Sequence, residues 1–97
     1  MPDKIRVNYA ALDDMAKHCQ KVAVELQQTA TAANKIAAQM QNGALVGKPG
    51  DAFVQALAQL SARTMKLSGK FVEVSNDIKQ AMADMQSADS SAGQKFG

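Results

Sequence analysis

Aromatic residues are scarce in this sequence, which has no Trp, one Tyr and three Phe. Runs of aromatic and β-branched residues, which are typical of strands, are missing, and this argues against a β-sheet fold. A lone tyrosine cannot provide a series of rings for stacking nucleobases. The net charge of +2 also falls short of the dense basic surface that nucleic acid requires. We therefore expect no nucleic-acid partner.

Cysteine and long apolar runs are also lacking. The single cysteine, Cys19, has no internal disulfide partner. The first residues, MPDKIRVNYA, contain no apolar segment of the kind that a secretory signal peptide needs. No run approaches the roughly 18 apolar residues of a membrane span. These patterns predict a soluble helical protein made in the cytoplasm, although export without a cleavable signal would leave no trace in them.

No arrangement of residues with catalytic or metal-binding spacing is found. The only histidine, His18, precedes Cys19, and adjacent helical residues diverge by about 100°, so the two cannot act as a base and its nucleophile. One histidine and one cysteine do not make a metal site either. The glycine-rich segment GALVGKPG lacks the Gly-x-x-x-x-Gly-Lys-Ser/Thr spacing of a phosphate loop. We expect no enzymatic activity, no cofactor and no metal.

The sequence is rich in helix-forming residues, and its apolar positions recur at alternating steps of three and four. The segment NGALVGKPGDAF, at residues 42–53, holds three of the six glycines and one of the two prolines. We therefore predict one domain, 1–97, with helix 1 at about 8–42, a turn at about 43–49, helix 2 at about 50–88 and a flexible tail at 89–97. Asn8 is the predicted N-cap of helix 1, and Asn42-Gly43 is its predicted C-cap, a pair able to adopt left-handed backbone angles. If Gly47 has a positive φ, it should tolerate substitution poorly.

The predicted fold class is all-α, an antiparallel helix-turn-helix hairpin, because a short connection places consecutive helices side by side. The predicted hairpin seam contains Leu12, Met15, Cys19, Val22, Leu26, Thr29, Ala33, Ile36 and Met40 in helix 1. In helix 2 it contains Phe53, Leu57, Leu60, Thr64, Leu67, Phe71, Val74, Ile78, Ala81 and Met85.

A second surface runs beside the predicted seam and consists mainly of small residues. On helix 1 it is a row of alanines spaced by sevens, and on helix 2 it is the row Val54, Ala58, Ser61, Met65, Ser68, Val72 and Ser75. A lone pair of helices buries little surface, so we predict that two hairpins form a four-helix bundle through this surface. An alternative interpretation is that its alanines only favour helix on a solvated face. The predicted dimer interface contains Ala16, Ala23, Ala30, Ala37, Ala58 and Met65.

The central turn is similar to that of a known family. In LVGKPGDAF, Gly47 and Phe53 occupy the positions of the glycine and of the aromatic residue that follows it in the small WXG-motif proteins. These proteins are also called ESAT-like, after an early secreted antigenic target, and are substrates of type VII secretion. Leu45 stands where the family has its tryptophan.

The end of the chain resembles the same family. Exported members carry Tyr-x-x-x-Asp/Glu near the C-terminus, followed by apolar residues. In MQSADSSAGQKF these positions are held by Met85, in place of the tyrosine, and by Asp89, Ala92 and Phe96. The resemblance implies a non-enzymatic protein that is secreted as a folded dimer by a type VII, ESX-like system.

According to the resemblance, the tail acts as the secretion signal for a membrane-bound ATPase of the secretion system. The dimer partner would be a second copy or a related chain. An alternative is a cytoplasmic adaptor module that forms one half of an obligate helical heterodimer. Contact with a membrane has no support in the sequence.

Overall fold

The computed structural model describes residues 8–44 and 47–96, and the side chains of residues 8–43 and 47–91. Helix α1 spans Tyr9–Gln39 and continues into a short π-helical turn, Met40–Ala44, and helix α2 spans Lys48–Phe96. The two helices pack side by side and form a rod of 74 × 19 × 16 Å. The described residues contain no strand. The predicted all-α hairpin is confirmed.

Local backbone chemistry defines both ends of α1. The Asn8 side-chain oxygen accepts a hydrogen bond from the Ala11 N–H at 3.0 Å, which makes Asn8 the N-cap, as predicted. At the other end Gly43 has φ +125° and ψ −1°, which interrupts the helical backbone. A residue with a Cβ rarely adopts such angles, so a glycine at this position allows the chain to turn.

Helix α2 begins directly after Gly47, which has a φ of +105°, the positive value on which its predicted intolerance of substitution depends. Pro49 lies in the first turn, where its missing N–H costs no helical hydrogen bond. The helix then continues to Phe96 and does not end near residue 88. The prediction that the helix ends near residue 88 is therefore wrong, and residues 89–96 belong to α2. No proline follows Pro49 to break the helix.

The helices meet through small residues. Five alanines of α1 are buried, and three serines of α2 donate their hydroxyl hydrogens to carbonyl oxygens of α1. Each step of seven residues along α2 matches a step of seven in the opposite direction along α1, so the antiparallel register is constant. The three hydrogen bonds are Ser61 to Ala30 at 3.2 Å, Ser68 to Ala23 at 2.8 Å and Ser75 to Ala16 at 2.9 Å.

The observed helix–helix contact shares every second position with the predicted hairpin seam. At the positions between, the packed residue is the one that follows the predicted residue. Positions such as Leu26, Leu57 and Phe71 are half-buried between the helices, as predicted. The other positions are exposed except Val22, and on α2 three of them are followed by a buried serine: Ser61 after Leu60, Ser68 after Leu67 and Ser75 after Val74. One residue turns a helix by about 100°, and only every second position is shifted by one residue. The observed contact face is therefore rotated by about half that angle from the predicted seam. Small side chains allow the helices to approach closely.

The surface predicted to bind a second hairpin is wrong for its four α1 alanines and for Ser61, Ser68 and Ser75 of α2, which contact α1 of the same chain. Ala16, Ala23, Ala30 and Ala37 are buried between the helices of a single chain, at 0%, 2%, 1% and 8% exposure. They have no surface left for a second hairpin. Ala58 and Met65 of α2 are exposed and lie outside the helix–helix contact.

Candidate functional site

One long side of the hairpin is apolar and exposed. Its residues precede, by one position, the residues that pack between the helices. In an antiparallel pair of right-handed helices, such positions on both helices project to the same side. We call this surface the apolar face. Its members are Met15, Ile36, Phe53, Leu60, Leu67 and Val74, each between 42% and 54% exposed.

The opposite side of the hairpin has a different composition. It is formed by residues four positions after those of the small-residue contact. On α1 these are polar, Gln20, Gln27 and Asn34, and all three are exposed. On α2 they include Met65 and Val72, which are also exposed. On the apolar face, large exposed apolar residues thus lie along α2 and near both ends of α1, whereas on the opposite side α1 has Val24 alone.

The turn motif lies at one end of this face. Phe53, the aromatic residue of the motif, is 48% exposed and belongs to the apolar face. Gly47 adopts the positive φ that the turn requires. Leu45, the third residue of the predicted motif, lies outside the described residues.

The predicted signal residues all lie on α2, beyond the level at which α1 begins. The register that pairs Ala16 with Ser75 places Tyr9 level with Met82. Residues 83–96, which we call the C-terminal extension, continue for about 21 Å past that level. Met85 is half-buried and Asp89 is exposed, and the helix also includes Ala92 and Phe96.

A hydrogen bond joins this extension to the first turn of α1. The Tyr9 hydroxyl donates to the Asp89 carboxylate at 2.7 Å, between residues 80 positions apart in the chain. This bond, with smaller contributions from partial burial and the Asp89 charge, raises the pKa of Tyr9. Removing the phenol proton would place two negative charges side by side, so the neutral phenol is favoured.

Sequence reasoning did not identify Tyr9 as a site residue. A helical side chain leans toward the N-terminus of its own helix, so Tyr9 points along the C-terminal extension of the antiparallel partner. Its position in the first turn and its status as the only tyrosine are the signals in the sequence that could have revealed it.

Arrangements suited to chemistry are not found in the part of the chain that the structure describes. No group of three His, Cys, Asp or Glu side chains there could hold a metal ion. None of its helices is long and apolar enough to cross a membrane. A shallow groove of about 420 Å³ on the outer side of α1 contains one lysine and no acid–base pair. It is lined by Val24, Gln27, Gln28, Thr31, Ala32 and Lys35.

The WXG100 family, described as proteins of 100 residues with WXG, matches residues 4–90 of the chain. The chain belongs to this family. Neither a curated protein nor a solved structure matches it. WXG100 proteins are small, helical and non-enzymatic, and the family is known for type VII secretion. The match to the WXG100 family includes the turn and Asp89 and ends before Ala92 and Phe96.

Proposed function

We propose that this WXG100 protein is exported as a folded dimer by a type VII secretion system, with the C-terminal extension as its recognition signal. The observation that carries the proposal is the pair of surfaces on one hairpin. One is an apolar face along both helices, and the other is a helical extension that continues past the packed region. Family membership supports the link to secretion.

The apolar face has the size that a stable dimer needs. The overlap of the helices follows the 31 residues of α1, which is about 46 Å of helix. With a width of 16 to 19 Å, one side of the rod offers on the order of 800 Å². A standard protein interface buries about this area on each partner. Monomers rarely expose large apolar patches to water, and six large apolar side chains are exposed on this side.

A second copy of this chain is the partner that we propose for the face. Two copies related by a twofold axis present the same face to each other, so one apolar surface is sufficient for a closed dimer. The result would be a four-helix bundle whose inner layers are the two apolar faces. The small-residue contact remains inside each hairpin. This arrangement reverses the roles predicted for the two surfaces.

The C-terminal extension has the features of a helix that docks in a groove. Met85 and Phe96 are the proposed apolar anchors, and the exposed Asp89 carboxylate would set the register of binding. Ala92 is the small residue of the same motif. The proposed receptor is the membrane-bound ATPase of the secretion system.

The dimer can be tested by the solution mass of the purified chain, which has a mass of 10.3 kDa. We expect twice this mass by light scattering on a sizing column. Leu60→Ser together with Leu67→Ser should give the monomer mass, since both side chains lie on the apolar face. Val24→Ser is the matched control, because Val24 is 51% exposed and lies elsewhere on α1. A dimer that survives the double substitution would refute this face.

If the natural sequence is a folded monomer in solution, the proposed homodimer is refuted. If that monomer gained stability only with a related chain, the heterodimer alternative would be supported.

The signal requires a separate experiment in the organism that makes the protein. Asp89→Ala should abolish export while the helix content measured by circular dichroism changes little, and removal of residues 85–97 should abolish export with a loss of helix signal limited to the deleted end of α2. Undiminished amounts of either variant in the culture medium would rule out the extension as the signal.

A further inference from the structure

We propose that the recognition element is composite, with Tyr9 of α1 acting together with Met85 and Asp89 of α2. This inference rests on the proposed function, because it adds a residue from the other helix to the same export signal. The observation behind it is the 2.7 Å hydrogen bond from the Tyr9 hydroxyl to the Asp89 carboxylate.

The geometry of the antiparallel pair brings the three residues together. Tyr9 is level with Met82, one heptad or about 10 Å before Asp89. The Tyr9 side chain leans toward the start of α1, and the Asp89 side chain leans back toward the start of α2. The two side chains therefore approach each other across this interval, and Met85 lies midway along it.

The contact leaves Asp89 available to a partner. A carboxylate has about four acceptor sites, and the Tyr9 hydroxyl uses one of them. Asp89 is exposed, and Tyr9 and Met85 are half-buried beside it. The surface therefore combines a fixed negative charge with an aromatic ring and a thioether. A partner that fits it has an apolar groove with an arginine, a lysine or backbone N–H groups at one end.

The sequence of the C-terminal extension links the contact between Tyr9 and Asp89 to the export signal. The position four residues before Asp89 holds Met85, where the resemblance to exported proteins expects a tyrosine. The only tyrosine of the chain is held beside the same aspartate from the other helix. An unfolded chain would contain Met85 and Asp89 but would not keep a tyrosine beside them. The signal would thus be complete only in the folded hairpin.

The test compares export of Tyr9→Phe with that of Tyr9→Phe combined with Met85→Tyr. Loss of the hydroxyl should lower export about fivefold, the effect of one net hydrogen bond. The second substitution returns a tyrosine to a position one helical turn from Asp89 and should restore export to at least about half of its normal level, because residues four apart on a helix are neighbours. Thermal melting of each variant, followed by circular dichroism, checks that the hairpin is retained.

Each outcome separates the two proposals. If Tyr9→Phe is exported normally while Asp89→Ala is not, the signal stands and the composite element is refuted. A loss in Tyr9→Phe that Met85→Tyr does not relieve also refutes it, because the hydroxyl then acts only on the structure of the hairpin. If neither Tyr9→Phe nor Asp89→Ala changes export, the proposed signal itself fails.

Discussion

The small-residue contact can be tested by enlarging one of its alanines. Ala23 is 2% exposed, and its carbonyl oxygen accepts the Ser68 hydroxyl at 2.8 Å. Ala23→Leu would insert three more carbon atoms where the helices meet. The matched control is Ala32→Leu, because Ala32 is exposed on the same helix and outside the contact. Alanine and leucine have similar helix propensities, so the control isolates packing from propensity.

The expected loss of stability in Ala23→Leu has two contributions. Overpacking a close contact destabilises a protein by about 1–3 kcal/mol, and three added carbons correspond to the upper part of this range. Separating the helices also lengthens the Ser68 hydrogen bond, whose net contribution is about 1 kcal/mol. We expect a loss of about 4 kcal/mol for Ala23→Leu, which for a chain of this size lowers the melting temperature by roughly 15 to 30 °C. Ser68→Ala should lose only about 1 kcal/mol.

Urea unfolding followed by circular dichroism, at two protein concentrations, measures these changes. The loss for Ala23→Leu should appear at both concentrations, because the contact lies within one chain. A dimer contact would instead give a loss that depends on protein concentration. Equal stability of Ala23→Leu and Ala32→Leu would refute the burial of the alanines inside the hairpin. If Ala23→Leu fails to fold, Ser68→Ala provides the graded comparison.

Three further predictions concern the turn, the tyrosine and the apolar face. Gly43→Ala should destabilise the protein by about 1 kcal/mol or more in urea unfolding, because φ is +125° while no neighbouring atom obstructs a Cβ. The raised pKa of Tyr9 means that the stability from its contact is present below pH 10.0, the ordinary pKa, and is lost as pH rises through the folded-state value. A titration followed by phenolate absorbance should measure the raised pKa of Tyr9, and Asp89→Asn should lower the pKa of Tyr9. Phe53→Ser should weaken dimerisation at least about tenfold in sedimentation, since about half of each side chain is exposed for a partner to cover and a twofold dimer loses two of them.

The local features of the fold could be predicted from the sequence. Asn8 caps α1, and Gly43 and Gly47 adopt positive φ, because each depends on the backbone preferences of a few neighbouring residues. The hairpin followed from the length of the helical segments and the short connection between them.

The identity of the packed face depends on both helices together and was not predictable. Hydrophobicity ranks Leu60 above Ser61, yet Ser61 is buried and Leu60 is 50% exposed. A serine is favoured inside only when the opposite residue is small enough for its hydroxyl to reach a carbonyl oxygen. The contact between Tyr9 and Asp89 depends on the same register, since 80 residues separate them.

The contact between Tyr9 and Asp89, outside the packed region, depends on the register of the two helices. A slip of one heptad, about 10 Å, would again place serines of α2 opposite alanines of α1. The small-residue contact therefore defines a set of registers and does not select one of them. The connection between the helices is too short to allow a slip of this size. A slip would also break the hydrogen bond between Tyr9 and Asp89. A receptor that binds Tyr9 and Asp89 together would thus recognise only hairpins in the correct register.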